Sequence, residues 1–142
     1  MRRFESFFAR TFRPFFLFTG AGTALIGLYA ILPAWAMPNL AKLPHLQDYT
    51  IIIQHWGTMV GLMGVFMMAA AIAPAWRVPM ALYSGLEKAF MVWLVLSNAR
   101  YSFVSGFRLP FVVDGTVVLY TIGYFAAGGV RIPSPDRPDR GA

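Results

Sequence analysis

Glu87 and Lys88 stand side by side inside a long apolar run, and His55 opens another. Asn98, Arg100 and Asp114 fall close to the ends of two further segments. An ionised side chain at membrane depth costs ~2.5–3.5 kcal/mol on insertion scales, and less near an interface, so such residues are read as functional with an internal partner. Counting 1.5 Å of rise per residue sorts them into two layers. His55, Asn98, Arg100 and Asp114 share an outer level, where an Arg100–Asp114 pair is expected. Glu87 and Lys88 form a second layer in the inner half, where the first apolar helix supplies Thr19 and Thr23. Neighbouring residues on a helix diverge by about 100°. Glu87 therefore shares a face with Met91, Leu94 and Asn98, and Lys88 with Ser84, Val92 and Val95. The two are expected not to neutralise each other: one faces the bundle, and the other snorkels or meets another chain. A plainer use competes with this, since buried polar residues can serve only to lock helix register.

A single membrane histidine such as His55 can ligate a haem iron or a chlorophyll magnesium. Bis-histidine haem needs a second ligand, and His45 falls in a loop. His55 is accordingly expected to hydrogen-bond a neighbouring helix or to sit at headgroup level beside Trp56. No catalytic residue is expected, because the sequence has no Gly-rich phosphate loop, no H-E-x-x-H, no nucleophile elbow and no usefully spaced carboxylate pair. No cysteine is present, which excludes disulfides and thiolate metal sites, and no metal site is expected.

These residues must be positioned by apolar helices. The chain is 58% hydrophobic and 13% charged, against about 25% charged in soluble domains. That predicts an all-α integral membrane four-helix bundle, with spans at about 15–34, 50–73, 80–101 and 111–128. Residues 1–14 carry Arg2, Arg3, Arg10 and Arg13, with Phe4, Phe7, Phe8 and Phe12 at helical spacing. This predicts a basic amphipathic segment lying at the interface, its Phe side in the acyl boundary and its arginines on anionic lipid. Pro14 is expected to separate it from the first span. Ala34-Trp35-Ala36 resembles a signal-peptide cleavage site, but the apolar run before it exceeds an h-region, so the helix is read as retained. Pro33 to Tyr49 reads as an ordered, non-helical outer loop, and Pro74 to Pro79 as a tight corner. Residues 130–142 read as a polar Pro/Arg/Asp tail.

On the second span Gly57, Gly61 and Gly64 recur at i, i+4, i+7, a helix-packing stripe that admits close approach of another backbone. Met59, Met63 and Met67 lie on another side, where they can fill gaps. With the N-terminus inside, the inner segments hold Arg2, Arg3, Arg10, Arg13, Arg77, Arg131, Arg137 and Arg140, and the outer ones only Lys42, Arg100 and Arg108. That asymmetry places both termini in the cytoplasm, with the chain multi-pass in the cell (inner) membrane. The net charge of +6 thus reads as a topology signal, and nucleic acid is excluded as a partner.

The topology, Gln54-His55-Trp56-Gly57 at the start of the second span and the Pro-Ala-Trp-Arg-Val-Pro corner resemble the small four-helix DoxX-like bacterial membrane proteins. The resemblance covers most of residues 15–129 and implies the fold, with little agreed function. The leading functional expectation is a non-catalytic accessory subunit packed against a larger integral membrane complex of respiratory or photosynthetic type. In that case other membrane subunits are partners and no cofactor is expected. The alternatives are a small proton-coupled transporter or channel-like homo-oligomer using Glu87, Lys88 and Asp114, and a pigment-, haem- or quinone-binding protein using His55.

Overall fold

The computed structural model describes residues 2–129. The expected tail over 130–142 and the side chains of Arg2 and Arg3 lie outside the described residues. Within them every regular element is helical. Helix α1 runs Arg2–Ala24 and continues through a 3-10 turn, Leu25–Gly27, into the short α2, Leu28–Ile31. The turn α3, Pro33–Ala36, leads to a loop, and then α4 (Thr50–Ile72), α5 (Arg77–Ser97) and α6 (Arg108–Ala126) follow. Four stretches, Glu5–Ile31, Gln47–Ile72, Pro74–Ser97 and Ser102–Ala126, are long and apolar enough to cross a membrane.

The helix boundaries correct the sequence expectation in one consistent way. The expected spans begin just after Pro79 and Pro110, yet each proline sits at the third position of a helix, α5 and α6 respectively. Pro33 opens α3, inside a loop expected to be non-helical, where a five-residue π turn, Met37–Ala41, and a 3-10 turn, Gln47–Tyr49, also form. The first-turn nitrogens of a helix have no intrahelical acceptor, so a proline there loses nothing. Pro14 is the exception, lying inside α1, which runs through it. Its ring removes only the bond that its nitrogen would give to the carbonyl four residues back, and the residue is exposed.

Residues 1–14 are therefore no separate interfacial element. The reason is aromatic packing between α1 and α6. Phe12 and Phe16 stack at 4.2 Å, Phe15 stacks on Tyr120 at 3.8 Å, and Phe12 meets Tyr124 at 5.1 Å. Thr11 and the Tyr120 hydroxyl add a hydrogen bond of 3.0 Å. Phe12 and Phe16 are fully buried, so the Phe side turns into the bundle and leaves Phe7 outside. With Val60, Met63, Met67, Met80, Ala81 and Val117 these rings make the core.

The closest helix pairs are α1 with α4 and α5 with α6. Gly57, Gly61 and Gly64 form the α1/α2–α4 seam from the α4 side. A Cβ on Gly57 would stand 2.6 Å from the Ala30 nitrogen, and one on Gly61 would stand 2.9 Å from Gly27 Cα. One on Gly64 would meet the backbone of Ala24 and Gly20. Because these neighbours are backbone atoms, a side chain there has nowhere to go. Met63 and Met67 fill the core beside the seam, and Met59 is exposed.

At the end of α6 the chain turns off helix through Gly128, whose φ of +83° is one that L side chains rarely adopt. Gly129 donates to the Tyr124 carbonyl and Gly128 to that of Phe125, both at 3.0 Å, the Schellman pattern.

Gly64→Ala is expected to cost about 1–3 kcal/mol, by overpacking. Gly115→Ala, at a glycine where an added Cβ would have no atom within 4 Å, is expected to be neutral or to stabilise by up to ~1 kcal/mol through helix propensity. Thermal unfolding of the two variants in one detergent compares them. Equal midpoints would show that the seam is not tight.

Candidate functional site

The inward face of α5 is made of Met80, Ala81, Ser84, Gly85 and Lys88, all buried. Small residues there admit α6 so closely that a Cβ on Gly85 would stand 2.6 Å from Thr121 Cγ2. Ser84 satisfies its own hydroxyl by donating to the Met80 carbonyl at 2.6 Å. One turn beyond Gly85, Lys88 points into the bundle, and its Nζ lies 3.0 Å from Asp114 Oδ1 and 3.4 Å from Glu87 Oε2. The Lys88 and Asp114 side chains are 5% and 8% exposed, and that of Glu87 is 31% exposed. Lys88 is thus the inward residue of the Glu87–Lys88 pair, and it bridges two carboxylates on two helices.

This corrects two sequence expectations. Glu87 and Lys88 do meet, because diverging Cβ directions do not stop a four-carbon stem from swinging its ammonium to a neighbouring carboxylate. The division into two layers also fails. Asp114 belongs with Glu87 and Lys88, because depth counted from backbone positions ignores the reach of the lysine stem. The expected Arg100–Asp114 pair is not formed. α5 ends at Ser97, so Arg100 lies in the following turn, where it donates to the Tyr101 hydroxyl at 2.9 Å and lies 4.8 Å over that ring.

The remaining candidates are placed elsewhere. Asn98 follows the last residue of α5 and donates from Nδ2 to the Leu94 carbonyl at 2.8 Å, closing the helix end. His55 is exposed on α4. His45 is within 3.1 Å of Thr50 Oγ1. Gln54 is not among the sequence candidates, yet it ties α4 to α2, with Nε2 donating 3.0 Å to the Ala30 carbonyl. The signal for it is an amide in an apolar run, three residues before Gly57 and so on the seam's face.

The three charges border a cavity of about 380 Å³. From α1 and α2 it is walled by Thr23, Ile26 and Tyr29, from α4 by Trp56 and Val60, from α5 by Met91 beside Glu87 and Lys88, and from α6 by Val113. Leu40 and Ala41 of one loop and Gly106 and Phe107 of the next cover one end. Those loops touch so closely that a Cβ on Gly106 would strike the Ala41 carbonyl oxygen. Trp56 is set by Tyr29, the rings meeting edge-on at 5.3 Å. Thr23 reaches the same cavity, whereas Thr19 donates to the Phe15 carbonyl of its own helix at 2.7 Å. Among the described residues, no three His, Asp or Glu side chains are grouped to hold a metal ion.

Fold and site together define an all-helical protein with four helices fit to cross a membrane and a buried three-charge cluster at an apolar cavity. No family model matches the chain, and no curated protein or solved structure matches it either.

Lys88→Met leaves two carboxylates close together without their cation and is expected to destabilise by about 3–5 kcal/mol, the scale of breaking a buried pair. Asp114→Asn keeps the Lys88–Glu87 contact and should cost clearly less. Lys88→Met combined with Asp114→Leu should recover most of the loss, because Glu87 alone can turn toward its exposed side. Denaturation in detergent reads all three, and a double variant as unstable as Lys88→Met would contradict this account.

Proposed function

We infer that the protein is an integral membrane protein that binds a small, largely apolar molecule in this cavity, with the Glu87–Lys88–Asp114 cluster meeting the molecule's polar end. The observation that carries this reading is the position of the charges. A cluster used only to lock helix register needs no cavity, and here the apolar space opens directly onto it. The volume lies at the small end of the ~300–1,000 Å³ typical of small-molecule sites, which are apolar with a few placed polar groups. Of the sequence-based alternatives, this is nearest to a carrier or a quinone-type binder, but with Glu87 and Asp114 in the role assigned to His55.

The chain is proposed to lie in the cell (inner) membrane with both ends cytoplasmic, on the Lys and Arg asymmetry of its loops. Arg10 and Arg13, both exposed in the first half of α1, are then placed for anionic lipid headgroups. An accessory role in a larger membrane complex is a second reading. It is supported by the outer face of α5, where Phe90 and Trp93 stack at 5.4 Å and both rings are exposed.

Two experiments address these points. The sequence has no cysteine, so Asn39→Cys and Ala75→Cys can be labelled without background. An impermeant maleimide added to intact cells is expected to label Asn39→Cys and to spare Ala75→Cys until the membrane is opened. The reverse pattern would invert the topology. For the cavity, a ten-carbon amphiphile titrated into the protein in nanodiscs should change the fluorescence of the cavity-lining Trp56. Val113→Phe should weaken that response at least tenfold by filling the space. Equal binding to Val113→Phe would place the compound elsewhere and remove the cavity reading.

A further inference from the structure

The reading just given leaves the polar end of the ligand unspecified, and the charge count at the cluster specifies it. Among the described residues, Glu87, Lys88 and Asp114 are the only charged ones on the cavity wall. Two carboxylates and one ammonium sum to one negative charge when all are ionised. Lys88 sits nearer Asp114, at 3.0 Å, than Glu87, at 3.4 Å. The looser partner is also the incomplete one, since Glu87 Oε2 is buried and accepts no hydrogen bond. A carboxylate oxygen out of reach of water calls for a donor, and a charged donor makes a bond roughly twice as strong as a neutral one. An anionic head would meet the excess negative charge and find the one ammonium already engaged twice.

We propose that the cavity takes an amphipathic monocation, an apolar body bearing one ammonium group, whose head donates to Glu87 while Lys88 withdraws to Asp114. The cluster and its ligand then sum to zero charge, which an apolar interior favours. Glu87 is the residue able to receive the head, because it is the partly exposed member and stands beside Met91 on the cavity side of α5. The body of the ligand lies against Ile26, Tyr29, Trp56, Val60 and Val113. This proposal rests on the cavity reading above, and its test separates the two.

Decylamine, decan-1-ol and decanoate share a chain and differ in the head. Each is titrated into the protein in phosphatidylcholine nanodiscs, with Trp56 fluorescence as readout, protein-free nanodiscs as the partition reference and Trp56→Phe to confirm the source of the signal. The amine is expected to bind about tenfold more tightly than the alcohol, the difference between a charge-assisted and a neutral hydrogen bond. Glu87→Gln should bring the two within about twofold. Asp114→Asn provides an independent route, because Lys88 then turns wholly to Glu87 and the amine should again lose its advantage. Equal binding of amine and alcohol, or tighter binding of decanoate, overturns the monocation and leaves the cavity reading standing. Binding of none of the three overturns both.

Discussion

The ammonium of Lys88 is the constraint around which the α5–α6 half of the molecule is arranged. A charged side chain only 5% exposed is tolerable only with an opposite charge in contact. The contact is Asp114, on a different helix. For the two to meet, the helices must come close, and the residues around Lys88 are the ones that permit it. Ala81, Ser84 and Gly85 present almost no side-chain bulk, and Thr121 presses into the space that Gly85 leaves. A larger residue at position 85 would hold the helices apart and leave the lysine short of its partner. Sequence, packing and electrostatics are thus one condition here.

The other half is held by different means. α4 meets α1 and its continuation backbone to backbone, across Gly20, Ala24, Gly27, Gly57, Gly61 and Gly64. The two halves then close on each other unequally. Toward the N-terminus of α1, Phe12, Phe16, Tyr120 and Tyr124 fill the space with packed rings, and Arg77 lies 5.4 Å over Phe12. Toward the end of α1, Gly22, Thr23 and Ile26 are too small to do the same. The cavity lies where the side chains run out, with two touching loops over it. Its position follows from a change of residue size along one helix.

Much of this is legible in the sequence, and what is not has identifiable causes. Apolar run length is enough for four membrane-length helices, because nothing else in so polar-poor a chain can satisfy its backbone. Spacing is enough for the glycine stripe. Helix ends are misplaced wherever proline is taken as a boundary, as at Pro79 and Pro110, since in a first turn its missing N–H is no handicap. The Asp114 partnership is hidden because it depends on how two helices approach, which residue depth alone does not contain. His55 is a different matter. It precedes Gly57 by two residues, about 200° around the helix, so a stripe that packs inward turns His55 outward, as found. The same reckoning brings Gln54 to the seam. Taken as a constraint on orientation, the stripe removes one candidate and supplies another.

A lysine and an aspartate suffice to fix the register of two helices, and the Lys88–Asp114 pair is buried enough to do it alone. Glu87 is surplus to that purpose. It adds an uncompensated charge to a site whose walls are otherwise apolar, and it leaves an oxygen without a hydrogen bond. Either effect lowers stability, and a glutamine at 87 would remove the charge while keeping the shape. A stabilising role therefore accounts for two of the three residues and runs against the third. The third sits on the cavity side, partly exposed, in reach of the one ammonium that could release it. That arrangement suits a group that exchanges partners better than one that locks a helix in place.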